Sequence, residues 1–338
     1  MSARLLINTV VGFFAIVVLG LCTLQVRQDW EIFRVSNETN AQLELVKSLV
    51  AVNQLMTNEV MATNALIAQP FPASEDQIAG LTKLRNDLTA AKGLLLERKQ
   101  EVTGDIGSAL ATFIESLETI DALRVAIDAQ ITTAAMLRDP KVGDALHTFA
   151  RKSSGEIGSM VTGITKELTK QDPRLHDYQQ IVALSGQIYE SFSIESSQLA
   201  GILVSRRAFG QADIANSAGE HRIYMSGLDA LEGLFSDPDL QEAVNDRVSA
   251  FRSGYVASRD AIFASGTQGG DTDNIGATGA AYTLTIDDWN KTIGESNEHL
   301  AAIQETSFSG LTAITEQITE ESVSSMTLSM VIGVAALI

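Results

Sequence analysis

The chain has 338 residues, a formal net charge of −18 and only 6% aromatic residues. So acidic a chain is repelled by nucleic acid and by anionic lipid, although a local basic pocket can still hold an anionic ligand. Its one cysteine, Cys22, excludes an internal disulfide, so the fold must rest on its core, and this length suffices for two packed units.

Taken in chain order, residues 1–4 form a short end bearing Arg4. An uncharged, mostly apolar run follows from Leu5 to Val26. As a helix it extends about 33 Å, enough to span a ~30 Å hydrocarbon layer. A cleaved signal peptide is the alternative, but the run is long for one and no small-x-small cleavage site follows. Arg4 places the short end inside and the bulk of the chain outside. Trp30 and Phe33 then suit a membrane interface.

Beyond residue 27 apolar residues recur every three or four positions. Leu43, Val46, Leu49, Asn53, Met56 and Val60 form one seam, Ile78 to Leu95 a second and Ile106 to Ile127 a third. Such spacing predicts antiparallel bundle helices, and no stretch alternates as a half-buried strand does. Breaks fall at Pro70–Ser74, Thr103–Asp105, Asp139–Pro140, Asp172–Pro173 and Ser236–Pro238. In the last three, Asp can cap a helix whose first residue is Pro. Gly266 to Gly279 reads as a surface loop; a phosphate-cradling loop would need a preceding strand and a following Gly-Lys-Ser or Gly-Lys-Thr. The closing run, Ser322 to Ile338, is uncharged but polar at its start. It is expected to begin a second membrane helix that continues past residue 338, with a short apolar tail as the alternative.

The chain also repeats itself. Glu59 and Glu195 lie 136 residues apart, as do Ile78 and Ile214. Arg85 pairs with Arg222 at 137, Arg124-x-x-Ile127 with Arg259-x-x-Ile262 at 135, and Lys152-x-x-Gly155-Glu156 with Lys291-x-x-Gly294-Glu295 at 139. The near-constant offset predicts an all-α protein: two stacked four-helix-bundle units, 27–171 and 172–321, flanked by transmembrane helices at 5–26 and 322–338.

This layout resembles the sensor half of bacterial methyl-accepting chemotaxis proteins and related transmembrane receptors. Within them it is similar to the nitrate- and nitrite-sensing domain and the helical bimodular domain. Leu49 to Leu96, with Asn58-Glu59-Val60 in mid-helix, carries most of the likeness; Ile188 to Leu234 repeats it, and Ile286-Asp287-Asp288-Trp289 resembles the start of the closing helix. Nitrate-sensing relatives tend to carry Glu-Arg-Gly where this chain has Glu59-Val60-Met61, which removes an anion donor. The resemblance implies a periplasmic ligand-sensing region anchored in the bacterial inner membrane, working as a homodimer in chemotaxis signalling. A histidine kinase or cyclic-dinucleotide enzyme as output, or a ligand-free structural protein that binds a partner, are the alternatives.

Several residues are candidates for binding a small molecule, with an anion among the classes they suit. Glu195 lies on an apolar stripe, where a carboxylate is costly unless paired; it either faces a polar cavity or sits at the stripe's edge. Glu59 poses the same question more weakly. Arg206 and Arg207 end one helix, and His221 and Arg222 lie one turn into the next. A hairpin would gather them into an anion site, unless the arginines only complement a helix dipole. Lys83 and Arg85 form a thinner equivalent. Asn53 more simply sets register, and Trp289 reads as core. His147, His176, His221 and His299 show no metal-ligand spacing. No nucleophile–base–acid set can be assembled, so neither an enzyme nor a cofactor is expected.

Overall fold

The computed structural model describes residues 3–69, 71–102, 104–134, 137–171, 175–235, 238–267 and 282–335; side chains at 3–12, 14, 35–37, 39, 101, 140–141, 144, 147, 167–171 and 267 lie outside that description. Among the described residues every regular element is helical. In chain order they are α1 (Ala3–Ala68), α2 (Glu75–Arg98), α3 (Gly104–Ser116), α4 (Ile120–Ile131), α5 (Pro140–Gln171), α6 (His176–Ser205), α7 (Gln211–Leu231), α8 (Pro238–Phe251), α9 (Ala257–Thr267) and α10 (Ile286–Ala335).

Local chemistry sets many of the ends. Ser74 and Gln77 form a reciprocal capping box that starts α2. α5 and α8 begin on Pro140 and Pro238, where the missing N–H costs nothing. α6 stops where Arg206 turns left-handed, at φ 51°. At the end of α1, Arg138 gathers loose carbonyls: its guanidinium donates to Leu66, Ile67, Gln69 and Phe71, and also to Gln130 and Thr133. A π-helical turn, Arg252–Val256, joins α8 to α9.

Two compact units divide the chain: Met1–Glu44 with Ser309–Ile338, and Leu45–Phe308. In the first, α1 and α10 meet through a polar contact. Buried Asp29 accepts from Gln25 (3.1 Å) and from Ser325 (2.8 Å). Gly333 packs against Cys22, where an added Cβ would stand 3.5 Å from the cysteine Cβ.

The expected membrane location is corrected here. Among the described residues no helix is long and apolar enough to cross a membrane. Residues 5–12 and 14 of the first apolar run lie outside the described side chains. The closing run carries buried Ser322 and Ser329 and the hydrogen-bonded Ser325, and residues 336–338 lie outside the description.

In the second unit the seams predicted from periodicity are buried. Leu43, which closes the first unit's share of α1, is 2% exposed, and Val46, Leu49 and Met56 are fully covered, as are Leu95, Leu110 and Ile127. Asn53 accepts from Ser154 at 2.6 Å, tying α1 to α5. Trp289 is fully buried and donates its indole N–H to the Ser196 carbonyl at 3.1 Å, fastening α10 to α6. α1 and α6 are linked by Asn64 to Ser197 and by Tyr189 to Asn58.

The Gly-rich loop expected at 266–279 lies outside the described residues except at its start. There α9 continues through Gly266, where an added Cβ would come within 2.7 Å of the rings of Phe209 and Tyr282. Asp172–Pro173 and Ser236–Asp237 also lie outside the description.

Candidate functional site

Glu59 is fully buried on α1. Arg85 of α2 donates to its Oε1 at 3.0 Å; Arg124 of α4 donates Nε to Oε1 at 2.9 Å and Nη2 to Oε2 at 2.6 Å. Each arginine reaches a second acid at the rim, Arg85 to Asp128 (2.7 Å) and Arg124 to Asp121 (3.0 Å). Burial alone would lower the Arg124 pKa, but its bonds to Glu59 and the added pull of Asp121 outweigh that and raise it.

Glu195 is fully buried on α6, which removes the stripe-edge reading. It is saturated by a different set of donors. Arg259 of α9 gives Nε to Oε1 at 2.7 Å, and Ser217 of α7 donates to the same oxygen. The hydroxyls of Tyr224 (2.9 Å) and Tyr255 (3.2 Å) donate to Oε2. Burial, then the charge of Glu195, pushes both tyrosines well above their ordinary pKa, so they stay protonated donors. His221 Nδ1 lies 2.6 Å from the Tyr224 oxygen. With that tyrosine proton committed to Glu195, Nδ1 is the protonated ring nitrogen and donates. Burial, then the charge of Arg259, lowers the His221 pKa. Arg259 also stacks over Phe263, 4.6 Å from the ring centroid, and pairs with Asp260.

The sequence-predicted residues therefore separate into several places. Glu59 and Arg85 meet in one cluster, and Glu195 and His221 in another. Arg207 is held bidentately by Asp213, whose carboxyl falls to about 2 chiefly through that bond. Asp213 also accepts from the Gly210 N–H (2.9 Å), capping α7. Arg206 lines a cleft of about 590 Å³ with Gln69, Gln77, Tyr282, Asp287 and Asn290. Arg222 is exposed. The expected anion site of three guanidiniums and an imidazole does not form, because α7 turns His221 inward and Arg222 outward, while Arg206 lines a different cleft from the one at whose edge Arg207 lies.

Sequence reasoning passed over Arg124 and Arg259 as site residues, although their matched motifs were visible. It also missed a polar cleft of about 810 Å³. Its lining comes from α1 (Asn64, Ala68), α5 (Gly143, Arg151), α6 (Ser197, Gln198, Gly201, Ser205) and α7 (Asn216, Glu220), with Arg207 at the edge. Small residues keep it open: at Gly143 and Gly201 the nearest atoms to an added Cβ would be at 3.7 and 3.8 Å. A smaller recess, which shares Arg151 and Ser197, adds Glu190 to the wall. No spacing rule could have found it, because four helices build it. Among the described residues no group of acids, cysteines and histidines could hold a metal ion.

No family model matches the chain, and no curated protein or solved structure is detectably similar to it.

Proposed function

We propose that the protein is a non-catalytic sensing module, built as two helical repeats, α1–α5 and α6–α10, within Leu45–Phe308. A small ligand settles between the repeats and favours one of two helix packings. The observation that carries this reading is the 810 Å³ cleft, because its wall draws on both repeats. A ligand there touches α1 and α6 together, so its binding energy bears on how they pack. α1 also meets α10 through Gln54 and Gln304. A shift of α1 by an ångström or two is the kind of motion that helix interfaces transmit. The resemblance to chemoreceptor sensors supports the sensing role; the bilayer plays no part in the reading.

The test is a thermal-shift screen of the full chain against organic acids, amines and amino acids, followed by hydrogen exchange with the best compound. A binder stabilises the native state by RT ln(1 + [L]/Kd), and exchange is expected to slow in residues 57–68 and 190–205. Protection confined to α8 and α9, or no shift with any compound, would end the reading.

A further inference from the structure

The charges that wall the cleft specify what enters it. Arg151 is the cation, with its side chain 56% exposed. Its nearest acid, Glu220, stands 4.0 Å away and is 18% exposed, too far for a hydrogen bond to the guanidinium. Glu190 follows around the wall on α6, in the recess that Arg151 also lines. Arg207 adds no net charge, because Asp213 neutralises it through two hydrogen bonds.

Taken together, the cleft and the recess that adjoins it at Arg151 and Ser197 hold two half-buried carboxylates against one loosely placed guanidinium, and are one positive charge short. Both acids reflect it. Burial raises the Glu190 pKa first, with Glu220 adding to the rise and Arg151 opposing it. Burial likewise raises Glu220, where a bond to Ser191 and the charge of Arg151 oppose and Glu195 adds. Beside them the wall is neutral and hydrogen-bonding: Asn64, Asn216, Gln198, Ser197 and Ser205.

The geometry points to a small zwitterion as the ligand, its primary ammonium between Glu190 and Glu220 and its carboxylate on Arg151, with the amides reading the remainder. Amino acids are the simplest members of that class. The ammonium supplies the missing charge and three N–H donors to acids that now lack them. The exposed fork of Arg151 can turn to grip a carboxylate at two points. A simple dianion would meet two like charges, and a simple amine would leave Arg151 unused. This inference rests on the sensing reading and adds the ligand class to it.

Calorimetric titration of the full chain with the twenty common L-amino acids tests it, alongside the matching acids without the amine and amines without the acid. At least one amino acid should bind, with both truncated forms at least tenfold weaker. Glu190→Gln with Glu220→Gln should weaken the amino acid at least tenfold and leave helicity unchanged by circular dichroism. Arg151→Gln, at an exposed position, probes the same cleft should the double variant fail to fold, and it should also weaken binding tenfold. If an acid lacking the amine binds equally well and is indifferent to the glutamine variants, the zwitterion is wrong while the sensing reading stands. If no compound of any class binds, both fall.

Discussion

Glu59 sits in a ring of charge, held by two arginines that each keep a second acid at the rim. Glu195, 136 residues on, keeps one arginine and replaces the rest with a serine and two tyrosine hydroxyls. Position by position the exchange is legible. Ser217 and Tyr224 stand where the first repeat has Leu81 and Leu88, Tyr255 where it has Ile120, and Phe263 where it has Asp128. His221 stands at the offset of Arg85, so the sequence pairing of Arg85 with Arg222 is one residue out. The first repeat neutralises its buried acid with charge from the surface. The second surrounds it with an aromatic shell, in which Phe192 lies 4.6 Å from Tyr255 and 5.4 Å from Phe251, ring centre to ring centre.

The contrast breaks most sharply on removal of either acid. Glu195→Ala leaves Arg259 with Asp260 as its acid partner, and a serine and two tyrosine hydroxyls without their carboxylate acceptor. That should cost about 3–5 kcal/mol. Glu59→Ala leaves Arg85 with Asp128 and Arg124 with Asp121, so the expected loss is smaller, about 2–3 kcal/mol. Urea unfolding of both variants ranks them. The reverse order would mean that the paired arginines, not the aromatic shell, are the costlier to orphan.

A smaller effect tests how closely the helices approach. At Gly227 on α7 an added Cβ would come 2.6 Å from Ile188 Cγ1, an atom held in the core. The matching position in the first repeat is Ala91, which is itself buried. Gly227→Ala is therefore expected to destabilise by about 1–3 kcal/mol through overpacking, despite its better helix propensity. Ala91→Gly should cost about 1 kcal/mol, chiefly in backbone entropy. A stabilised Gly227→Ala variant would show that α6 and α7 can move apart freely.

Helix seams, breaks and the long-range repeat were legible because they depend on spacing within one chain segment. Leu95 and Ile127 were placed in the core by period alone. The buried acids were also visible, as charges on apolar stripes, and the repeat marked Arg124 and Arg259 without giving them a role. Their pairing with Glu59 and Glu195 was not legible, since it joins α1 to α4 and α6 to α9 across 65 and 64 residues. The polar cleft was hidden for the same reason. The membrane expectation failed on composition: the closing run carries Ser322, Ser325 and Ser329, of which the structure buries Ser322 and Ser329 and bonds Ser325 to Asp29.

Acid should separate the repeats next, because His221 belongs to the second alone. Its folded pKa is lowered, so the unfolded chain binds the proton more readily. The stability it lends is present above the ordinary histidine value of about 6.5 and falls as pH drops below that toward its folded pKa. Burial and Arg259 oppose the added charge, while Glu195 and Asp260 favour it. His221→Gln should flatten the pH dependence of unfolding between roughly pH 6.5 and 5, with little change for Arg85→Gln over the same interval. An equal slope in the two variants would assign the acid response to carboxylates elsewhere.

The smallest difference lies one turn from Glu59. Thr63 is fully buried, and its hydroxyl has no hydrogen-bond partner. The second repeat has Leu199 at that offset, equally buried and wholly apolar. A buried hydroxyl without a partner carries a desolvation cost that an isosteric methyl does not. Thr63→Val keeps the β-branch and close to the same helix propensity. It should raise the unfolding free energy by about 1 kcal/mol, whereas Leu199→Thr should lower it by more than that, since it adds a buried hydroxyl and removes core volume. Loss of stability in Thr63→Val would instead mean that the hydroxyl is satisfied by a bound water.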